Sequence, residues 1–411
     1  MIVREHWQRR CGRLDPVAAI LALDHRPAAL LYGEGTWTVL AREPLAVFAD
    51  VPPPDLGLER RGDVPPIQPD LVGWFTYEHG LSLDPAFPAP HPDTLPGSRW
   101  VLYRHVVLHH RPTDTLYVAE REGTPLPWRV DHGTGPLRAE RRPDPDPPAD
   151  YRTRVARIRE LIGAGEVYQV NLTRRERWRV RGDRRRFAAR LARTDPGAYS
   201  AVIADPAAWV VSCSPERFLS WRGRDVVTSP IKGTAPRDDD PARDRAAAAA
   251  LRADPKNRAE LAMIVDLLRN DLGRVCTAGS VTVEVFPRLH TVAAVHHLVA
   301  DIRGRLLPDV GLADLLRAAF PGGSVTGCPR IAALHVIAAL ERAPRGIYTG
   351  ALGWLRADGA QGELSVAIRT AVIRDHVLTL GVGGGIVWDS DPAAEYAETE
   401  AKGRSLLACL R

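Results

Sequence analysis

Three apolar runs near the C-terminus constrain the fold of this chain more than any other feature of its sequence. GIYTGALGW (346–354) and ELSVAIRTAVI (363–373) flank Asp358-Gly359, a pair that is typical of the tight turn in a β-hairpin. A third run, HVLTLGVGGGIV (376–387), follows closely and is expected to form a third strand. Strands joined by such short connections pair antiparallel. We therefore expect an antiparallel sheet in this region.

The rest of the chain divides into a strand-rich part and a mixed part. Residues 1–140 contain short strand-like runs between Pro- and Gly-rich turns, and residues 141–150 (RRPDPDPPAD) are typical of an exposed connection. From 151 to 411, helical and extended patterns alternate. The sequence therefore predicts an α+β fold with a β-rich N-terminal part, a Pro-rich connection and a second part that carries the chemistry.

Several segments have helical spacing and helix end signals. Apolar residues at helical spacing fill 155–162 and DPKNRAELAMIVDLLRNDLG (254–273), and Glu260 is expected to open the second of these helices. The last helix should begin with Asp391 as its N-cap and Pro392 at its first position.

Charge does not point to nucleic acid. The formal net charge is +5, but 55 basic residues stand against 50 acidic ones and the two signs are mostly interleaved. The densest basic run (181–193) also has the pattern of an amphipathic helix, so a solvated face explains it better than a nucleic-acid surface.

Neither a membrane segment nor a disulfide framework is expected. The start, MIVREHWQRRCGR, lacks the apolar core of a secretory signal, and no stretch approaches the ~18 apolar residues of a membrane span. The five cysteines are scattered without a CxxC pair, which argues against zinc and against paired disulfides. We expect a cytoplasmic protein.

Lysine is scarce. Of the 55 basic residues only Lys232, Lys256 and Lys402 are lysines. Arginine keeps its proton near neutral pH, whereas a buried lysine can lose it. Codon usage alone can explain the scarcity of lysine. The positions that retain lysine are nevertheless candidates for a functional amine.

The last predicted helix carries Glu395, Glu398 and Lys402 on one face, because their spacing is i, i+3 and i+7. Two carboxylates beside a lysine can bind a hard cation together with an anionic ligand. A surface salt-bridge face has the same spacing, so both interpretations stay open.

Gly383, Gly384 and Gly385 follow a predicted strand. Without side chains, their N–H groups could approach a carboxylate or phosphate closely, although a tight structural turn is an equal alternative. The role of Glu260 is also left open, because its carboxylate could complement a helix dipole or provide a metal ligand.

Two further polar residues lie in apolar segments. His297, in AAVHHLVA, has the setting of a core histidine. Arg369 is the one charge in the strand-like run SVAIRTAV, and a buried arginine usually pairs with a carboxylate of the protein or of a ligand.

Lys232 and Glu216 are candidates for acid–base or nucleophilic chemistry. Lys232 lies in TSPIKGTAPR at a predicted strand-to-loop turn, where a rigid apolar setting would lower its pKa and make it a nucleophile. Glu216, in SPERF at the end of another predicted strand, is a possible proton donor.

Taken in order, the motifs resemble one known family. They are YQVNLTRR, SPERF, SPIKGTAPR, AELAMIVDLLRNDLGRV, VHHLVADI, PGGSVTGCPR, RGIYTGALGW, LSVAIRT and GVGGGIVWDSDPAAEYAET. This order resembles the chorismate-utilising enzymes, which include anthranilate, salicylate, isochorismate and aminodeoxychorismate synthases. The resemblance covers roughly 150–411 and is weaker in the first 140 residues. It implies a four-layer α/β/β/α arrangement of packed, largely antiparallel sheets with outer helices.

The resemblance also implies a metal site and a proton donor. Glu260 and Glu398 would hold Mg²⁺, with Glu395 close by or acting through water. The ion would take the ring carboxylate of chorismate, and Glu216 would protonate the departing C4 hydroxyl.

The remaining implied residues bind the substrate. Tyr348, Arg369 and the amides of Gly383, Gly384 and Gly385 would clamp the second carboxylate. His297 and Thr326 would line the pocket. Lys402 would add a positive charge beside the anion.

Two positions indicate the branch of the family that this chain resembles. Family members that add water at C2 have a lysine base where this chain has Gln169, which disfavours isochorismate and salicylate synthesis. Anthranilate synthases typically have PIAGT, whereas PIKGT, with Lys232, is the pattern of the aminodeoxychorismate synthase branch (component I). The implied product lies on the way to 4-aminobenzoate and folate, and a specialised aminobenzoate pathway stays open.

This chain has no sign of its own glutaminase, and three of its residues differ from the family pattern. No cysteine lies in a Gly-x-Cys-x-Gly elbow, so ammonia is expected from a separate glutamine amidotransferase subunit. Cys328 and Arg330 replace the usual alanine and lysine of GAPK, and Trp388 is bulky where a small residue is common. The other readings are an anthranilate synthase large subunit and a non-catalytic protein that binds tryptophan or chorismate.

Overall fold

We describe the chain from a computed structural model. The structure describes residues 2–23, 27–32, 36–50, 56–93, 95–122, 137–292 and 295–410. Within these ranges, no helix is both long and apolar enough to cross a membrane.

The described part of residues 1–141 forms mainly strands. The strands are β1 (Ile2–Cys11), β2 (Ala28–Tyr32), β3 (Trp37–Ala49), β4 (Gly57–Gly62), β5 (Leu71–Phe75), β6 (Ser98–His110), β7 (Thr115–Arg121) and β8 (Arg138–Arg141), with the short helices α1 (Pro16–Leu21) and α2 (Tyr77–Leu81).

Helices and strands alternate in the remainder. Up to residue 273 they are α3 (Pro148–Gly163), β9 (Gln169–Arg181), α4 (Arg184–Thr194), β10 (Tyr199–Ala204), β11 (Trp209–Ser214), β12 (Arg217–Arg222), β13 (Asp225–Ser229), β14 (Ile231–Pro236), α5 (Pro241–Ala253) and α6 (Pro255–Gly273). Beyond it they are β15 (Thr282–Val283), β16 (Arg288–Thr291), β17 (Val295–Val299), β18 (Ile302–Arg305), α7 (Leu312–Ala319), β19 (Gly327–Cys328), α8 (Arg330–Leu340), β20 (Ala351–Leu355), β21 (Gln361–Val366), β22 (Thr370–Arg374), β23 (Val377–Ile386) and α9 (Pro392–Ala408).

The C-terminal hairpin and the last helix confirm the sequence signals. Strands β20 and β21 pair antiparallel around a turn in which Gly359 has a φ of 72°. Asp391 caps α9 by accepting from two backbone N–H groups, and Pro392 occupies the first turn. These local signals are reliable because each depends on backbone chemistry within a few residues.

The sheet is continuous across the boundary expected at 141–150. Strand β2 pairs with β10, and β5 pairs with β20, both antiparallel. A separate three-stranded sheet consists of β14, β17 and β16. The predicted α+β fold of largely antiparallel sheets is confirmed, whereas the division into parts at 141–150 stays a prediction.

Buried apolar clusters hold helices against these sheets. One contains Leu261, Ile264 and Leu268 of α6, and another contains Tyr396 of α9 with Val155 and Ile158 of α3. Helices α6 and α9 are thereby held beside β14 and β23, the two strands that carry the candidate site.

A buried ion pair joins several elements behind that site. Arg345 donates from Nε and Nη2 to the two carboxylate oxygens of Glu341, at 2.8 and 2.7 Å. Its Nη1 and Nη2 also donate to the carbonyls of Val325 and Asn171. Glu341 accepts in turn from the backbone N–H of Thr173 in β9. The pair therefore connects α8, β9 and the loop that leads to β20.

We predict that Glu341→Gln destabilises the protein by about 3–5 kcal/mol, because it leaves the Arg345 charge buried without its counter-charge. Urea unfolding measures the change in the free energy of unfolding. The matched control is Glu160→Gln, which breaks an ion pair that is more than half exposed on α3 and should cost less than about 1 kcal/mol. Equal losses in the two variants would refute a structural role for this pair.

Candidate active site

The glycine run lies inside a strand. Gly383, Gly384 and Gly385 pair with β9 in the antiparallel ladder, so the alternative of a tight turn is wrong, whereas the third strand expected over 376–387 is confirmed as β23. Strand β22 pairs with β23 only up to Leu380. Among the described strands, none pairs with the second edge of β23 beyond that residue. Because N–H groups of an antiparallel strand alternate between its two edges, part of the glycine amides point away from β9.

Charged side chains of α9 converge on the middle glycine. A Cβ built on Gly384 would lie 3.2 Å from Glu395 Oε2, 3.7 Å from Lys402 Nζ and 3.9 Å from Glu398 Oε1. The glycine therefore lets these three groups approach the strand closely. Lys402 Nζ also pairs with Glu398 at 2.7 Å and donates to the carbonyl of Gly383 at 2.9 Å. The three α9 residues therefore form a charged cluster against the strand, as their helical spacing suggested.

The two carboxylates of this cluster differ electrostatically. Burial raises the pKa of Glu395, although a hydrogen bond from Ser390 Oγ at 2.6 Å opposes the shift. Burial, the largest single effect, acts in the same direction on Glu398, but the nearby lysines, with Lys402 the strongest, together hold the pKa of Glu398 below its ordinary value. Glu398 is about half exposed (54%), so the cluster has a buried side and a solvent-facing side.

Lys232 lies within a strand rather than at the predicted strand-to-loop turn. It belongs to β14, and the register with β17 shifts between Lys232 and Thr234. Gly233 between them has a φ of 73°, and a Cβ there would lie 2.9 Å from Cγ of Asn257 in α6. Such a bulge re-aims the neighbouring side chain. The Lys-Gly pair is thus a local backbone device that orients the amine.

The amine of Lys232 points to the glycine run. A Cβ on Gly385 would lie 3.4 Å from Lys232 Nζ and 2.3 Å from Gln169 Nε2. Burial lowers the pKa of Lys232, and the charge of Lys402 adds to the shift, whereas nearby carboxylates, with Glu260 the strongest, oppose it. A lysine in this setting can provide a neutral amine near neutral pH.

Glu216 is a buried carboxylic acid close to that amine. It lies between β11 and β12, and its Oε1 accepts a 2.6 Å hydrogen bond from Ser324 Oγ. Burial raises the pKa of Glu216 to about 7, although the Ser324 hydrogen bond and the charge of Lys232 both favour the ionised form. Glu216 therefore keeps a substantial protonated fraction near neutral pH.

His297 lies on the strand that pairs with the Lys232 strand, and the charge of Arg369 acts on it. His297 faces Thr234 across the β14–β17 pair, and its Nδ1 is 2.9 Å from Thr234 Oγ1. Burial, together with the positive charge of Arg369, lowers the pKa of His297 to about 4, so the ring is neutral at pH 7. Arg369 does not lie in a strand as expected: it joins β21 to β22 with a left-handed backbone, φ 48°.

Glu260 approaches the amine from α6. The helix starts at Pro255, capped by Asp254, so Glu260 lies in its second turn and does not open it as expected. Its charge nevertheless acts on Lys232. Among the described residues, no three His, Cys, Asp or Glu side chains are close enough together to hold a metal ion by themselves.

Thr326 and Tyr348, which were expected to contact substrate, contact groups of the protein. The hydroxyl of Thr326 donates to the carbonyl of Gly322 at 3.0 Å, which holds the loop that carries Ser324. The Tyr348 ring lies against Gly381, where a Cβ would be 2.2 Å from ring carbons. Thr326 therefore supports the partner of Glu216, and Tyr348 packs on β23 two residues before the glycine run.

The three departures from the family pattern occupy different settings. Cys328 pairs with Gln169 in the β19–β9 ladder. Arg330 forms a buried ion pair with Asp271. Trp388 is 57% exposed, and its ring lies against Gly163 at the end of α3. Cys328 is thus the departure that pairs directly with a residue at the glycine run.

Two polar contacts in the site were missed by sequence reasoning. Ser324, the partner of Glu216, lies 108 residues away from it in the chain, and Ser390 holds Glu395. A serine among glycines in PGGSVTG, or in a turn before a helix cap, carries no pattern of its own. Only the fold brings these hydroxyls to their carboxylates.

We predict that Glu216 titrates near pH 7, with its protonated form dominant below that pH and lost above it. Carbon-13 NMR of the glutamate carboxyl groups, assigned with Glu216→Gln, measures the transition. Ser324→Ala should move it to higher pH, because the hydroxyl stabilises the ionised form. Titration of Glu216 near its ordinary value of 4.5 would contradict the effect of burial.

Known proteins with similar sequences are chorismate-related synthases by name. Aminodeoxychorismate synthase of Streptomyces pristinaespiralis is 46% identical over 64% of this chain and 36% of its own length. Anthranilate synthase component 1 of Streptomyces coelicolor is 43% identical over 64% of this chain and 52% of its own length. The chain therefore matches between about a third and a half of these two curated relatives.

A solved structure extends the likeness to nearly the whole chain. Anthranilate synthase component I of Streptococcus pneumoniae superposes with a TM-score of 0.78 at 25% identity, covering 97% of this chain and 98% of that one. The family model described as chorismate binding enzyme matches residues 46–408, which include every residue of the candidate site. The chain belongs to the family of chorismate binding enzymes.

Proposed function

We propose that this protein aminates chorismate at C4 with ammonia and forms 4-amino-4-deoxychorismate, with Lys232 as a covalent nucleophile. The observation that carries the proposal is the half-buried Lys232, whose amine lies against Gly385 with a lowered pKa. A second group of suitable chemistry, Glu216, has its pKa raised to about 7 by burial. In one site, burial thus favours the neutral form of an amine and the protonated form of an acid.

The proposed steps balance with these two groups. The neutral amine of Lys232 attacks C2 of the ring, the double bond shifts, and the C4 oxygen leaves as water with the proton of Glu216. Ammonia then attacks C4, the double bond shifts back, and the lysine leaves C2 as a neutral amine. The proton released by the bound ammonia returns to Glu216. The net reaction is chorismate plus ammonia to aminodeoxychorismate plus water.

Positive groups around the glycine run suit a substrate with two carboxylates. Lys402 lies at the solvent-facing side, and Arg369 lies beside neutral His297. Glycine amides on the free edge of β23 can donate to a carboxylate without steric hindrance. Tyr348, packed on Gly381, would complete the clamp.

We further propose that Mg²⁺ is the cofactor. Carboxylate oxygens are the ligands that Mg²⁺ prefers. Glu395 and Glu398 provide such oxygens close to Gly384, and Glu260 approaches from α6. Since these groups do not form a closed protein cage, substrate and water oxygens would complete the coordination, as is usual for Mg²⁺. When bound, the ion would supply positive charge for a substrate carboxylate.

The ammonia is proposed to come from a separate glutamine amidotransferase subunit.

Gln169, 1% exposed, points its amide at the same glycine as the Lys232 amine. An amide cannot take a proton from water near pH 7, so amination is favoured over hydration at this site.

Anthranilate synthesis is the second candidate, because an anthranilate synthase component 1 is 43% identical to this chain. The two reactions differ in their products: amination at C2 with loss of pyruvate gives anthranilate, whereas amination at C4 retains the enolpyruvyl group. The lysine at 232 favours the C4 product, since it occupies C2 during the reaction.

We predict that the purified chain converts chorismate to 4-amino-4-deoxychorismate with Mg²⁺ and ammonium at alkaline pH, but not with glutamine. Mass spectrometry identifies the product, and a coupled assay measures pyruvate. Anthranilate with equimolar pyruvate would replace the proposed function by the second candidate. Glutamine turnover by the chain alone would refute the separate subunit.

Lys232→Arg is expected to lower kcat by at least about a thousandfold. Arginine keeps the charge and a similar length but has no accessible neutral nitrogen. The control is Lys256→Arg on the exposed start of α6, which should keep near wild-type kcat. A Lys232→Arg variant with normal turnover would make the lysine structural.

Glu398→Ala and Glu260→Ala are each expected to abolish Mg²⁺-dependent activity while leaving the free energy of unfolding nearly unchanged, because each removes one of few oxygen ligands. Glu400→Ala, an exposed carboxylate on the same helix as Glu398, is the matched control. Activity is measured against Mg²⁺ concentration. Near wild-type rate and Mg²⁺ dependence in either variant would show that the assigned residue is not a ligand.

A further inference from the structure

An arginine-lined cavity lies on the sheet away from Lys232. Its volume is about 430 Å³, and it is bounded by β9, β22, β23 and the loop before β20. Two aspartates, Asp93 and Asp375, are the carboxylates among its described lining residues. The arginines that line it are Arg142, Arg175, Arg177, Arg345 and Arg374.

Three of these arginines have carboxylate partners. Arg345 is held by Glu341 at 2.7 Å. Arg175 pairs with Asp146 at 3.4 Å, and Arg374 pairs with Asp93 at 3.8 Å. Their charges are therefore largely balanced within the protein.

The other two arginines are neighbours without such partners. The backbone N–H of Arg142 donates to the carbonyl of Arg177 at 2.9 Å, which brings the two residues side by side. Both side chains are exposed, and neither has an ion pair with any residue that the structure describes. Two adjacent guanidinium groups facing a cavity attract an anion, and their planar donor forks match a carboxylate.

The two guanidinium groups that have no ion pair within the described residues, one on Arg142 and one on Arg177, indicate a ligand with two anionic groups. Arg177 of β9 pairs with Thr379 of β23, and Arg374 of β22 pairs with Val377 of β23. Arg374 therefore lies across β23 from Arg177, and because Asp93 already balances its charge, the second anionic group is assigned to Arg142.

The lining between the arginines is partly apolar. Leu95, Ile347 and Val372 contribute to it, and Gly381 adds no side chain. Such a surface suits a carbon skeleton better than an inorganic ion. We propose that this cavity is a second binding site, for a small organic dianion such as an aromatic dicarboxylate, held chiefly by Arg142 and Arg177.

The cavity is next to the Lys232 site but does not coincide with it. Tyr348 and Gly381 form part of its wall, whereas Lys232, Glu216 and Glu398 are not among its described lining residues. Binding in the cavity therefore does not depend on the Lys232 amine, and the proposal stands apart from the proposed reaction.

Calorimetric titration with benzene-1,3-dicarboxylate tests the proposal, with benzoate and benzamide as the monoanionic and neutral analogues. The dicarboxylate should bind the full chain more tightly than benzoate, and benzamide should not bind measurably. The Arg142→Gln/Arg177→Gln double variant should weaken dicarboxylate binding about tenfold or more, because it loses charge-assisted hydrogen bonds.

Two further variants test whether weaker dicarboxylate binding comes from lost contacts in the cavity, from the lower net charge or from binding at the Lys232 site. Arg186→Gln/Arg190→Gln removes the same charge from exposed positions on α4 and should leave the affinity nearly unchanged. Lys232→Ala should also keep it. The proposal is overturned if the wild-type chain does not bind the dicarboxylate, if both double variants behave alike, or if Lys232→Ala removes binding, which would assign the ligand to the Lys232 site.

Discussion

The candidate site depends on a stretch of β-strand that has no side chains. Gly384 admits the charged groups of α9, and Gly385 admits the amine of Lys232 together with the amide of Gln169. A Cβ at either position would lie within about van der Waals distance of these groups or closer, so alanine would displace at least Gln169, only 2.3 Å from that position on Gly385. The flat strand therefore allows helix α9 and strand β14 to bring their charges to one place.

Burial shifts the pKa values of Lys232 and Glu216 in opposite directions. The same exclusion of water that lowers the pKa of Lys232 raises that of Glu216. In bulk water the lysine would be protonated and the glutamate ionised at pH 7. The fold thus stabilises a neutral amine beside a protonated acid, the pair that nucleophilic attack with loss of a hydroxyl requires. Family membership is consistent with this chemistry, and the C4-amination proposal depends on it.

Local features could be predicted from the sequence, whereas long-range pairings could not. The turn at Gly359 and the cap at Asp391 depend on residues within one turn, and both are as predicted. The strand that contains the glycine run was predicted, but its pairing with β9, more than 200 residues earlier in the chain, was not. The left-handed backbone of Arg369 likewise has no sequence signal, because non-glycine residues rarely adopt it. Which residues belong to the site came from the ordered motifs, and the hydroxyl groups that tune it came only from the structure.

Intact-protein mass spectrometry tests the central claim, the nucleophilic role of Lys232, most directly. The wild-type chain is incubated with chorismate and Mg²⁺ without ammonia, quenched, and then mapped by peptide fragmentation. The account predicts an adduct equal in mass to chorismate less one water, localised to Lys232, absent from Lys232→Ala and discharged when ammonium is added. If a preparation that turns over chorismate with ammonium shows no adduct on Lys232, the lysine is not a covalent nucleophile and the account is contradicted.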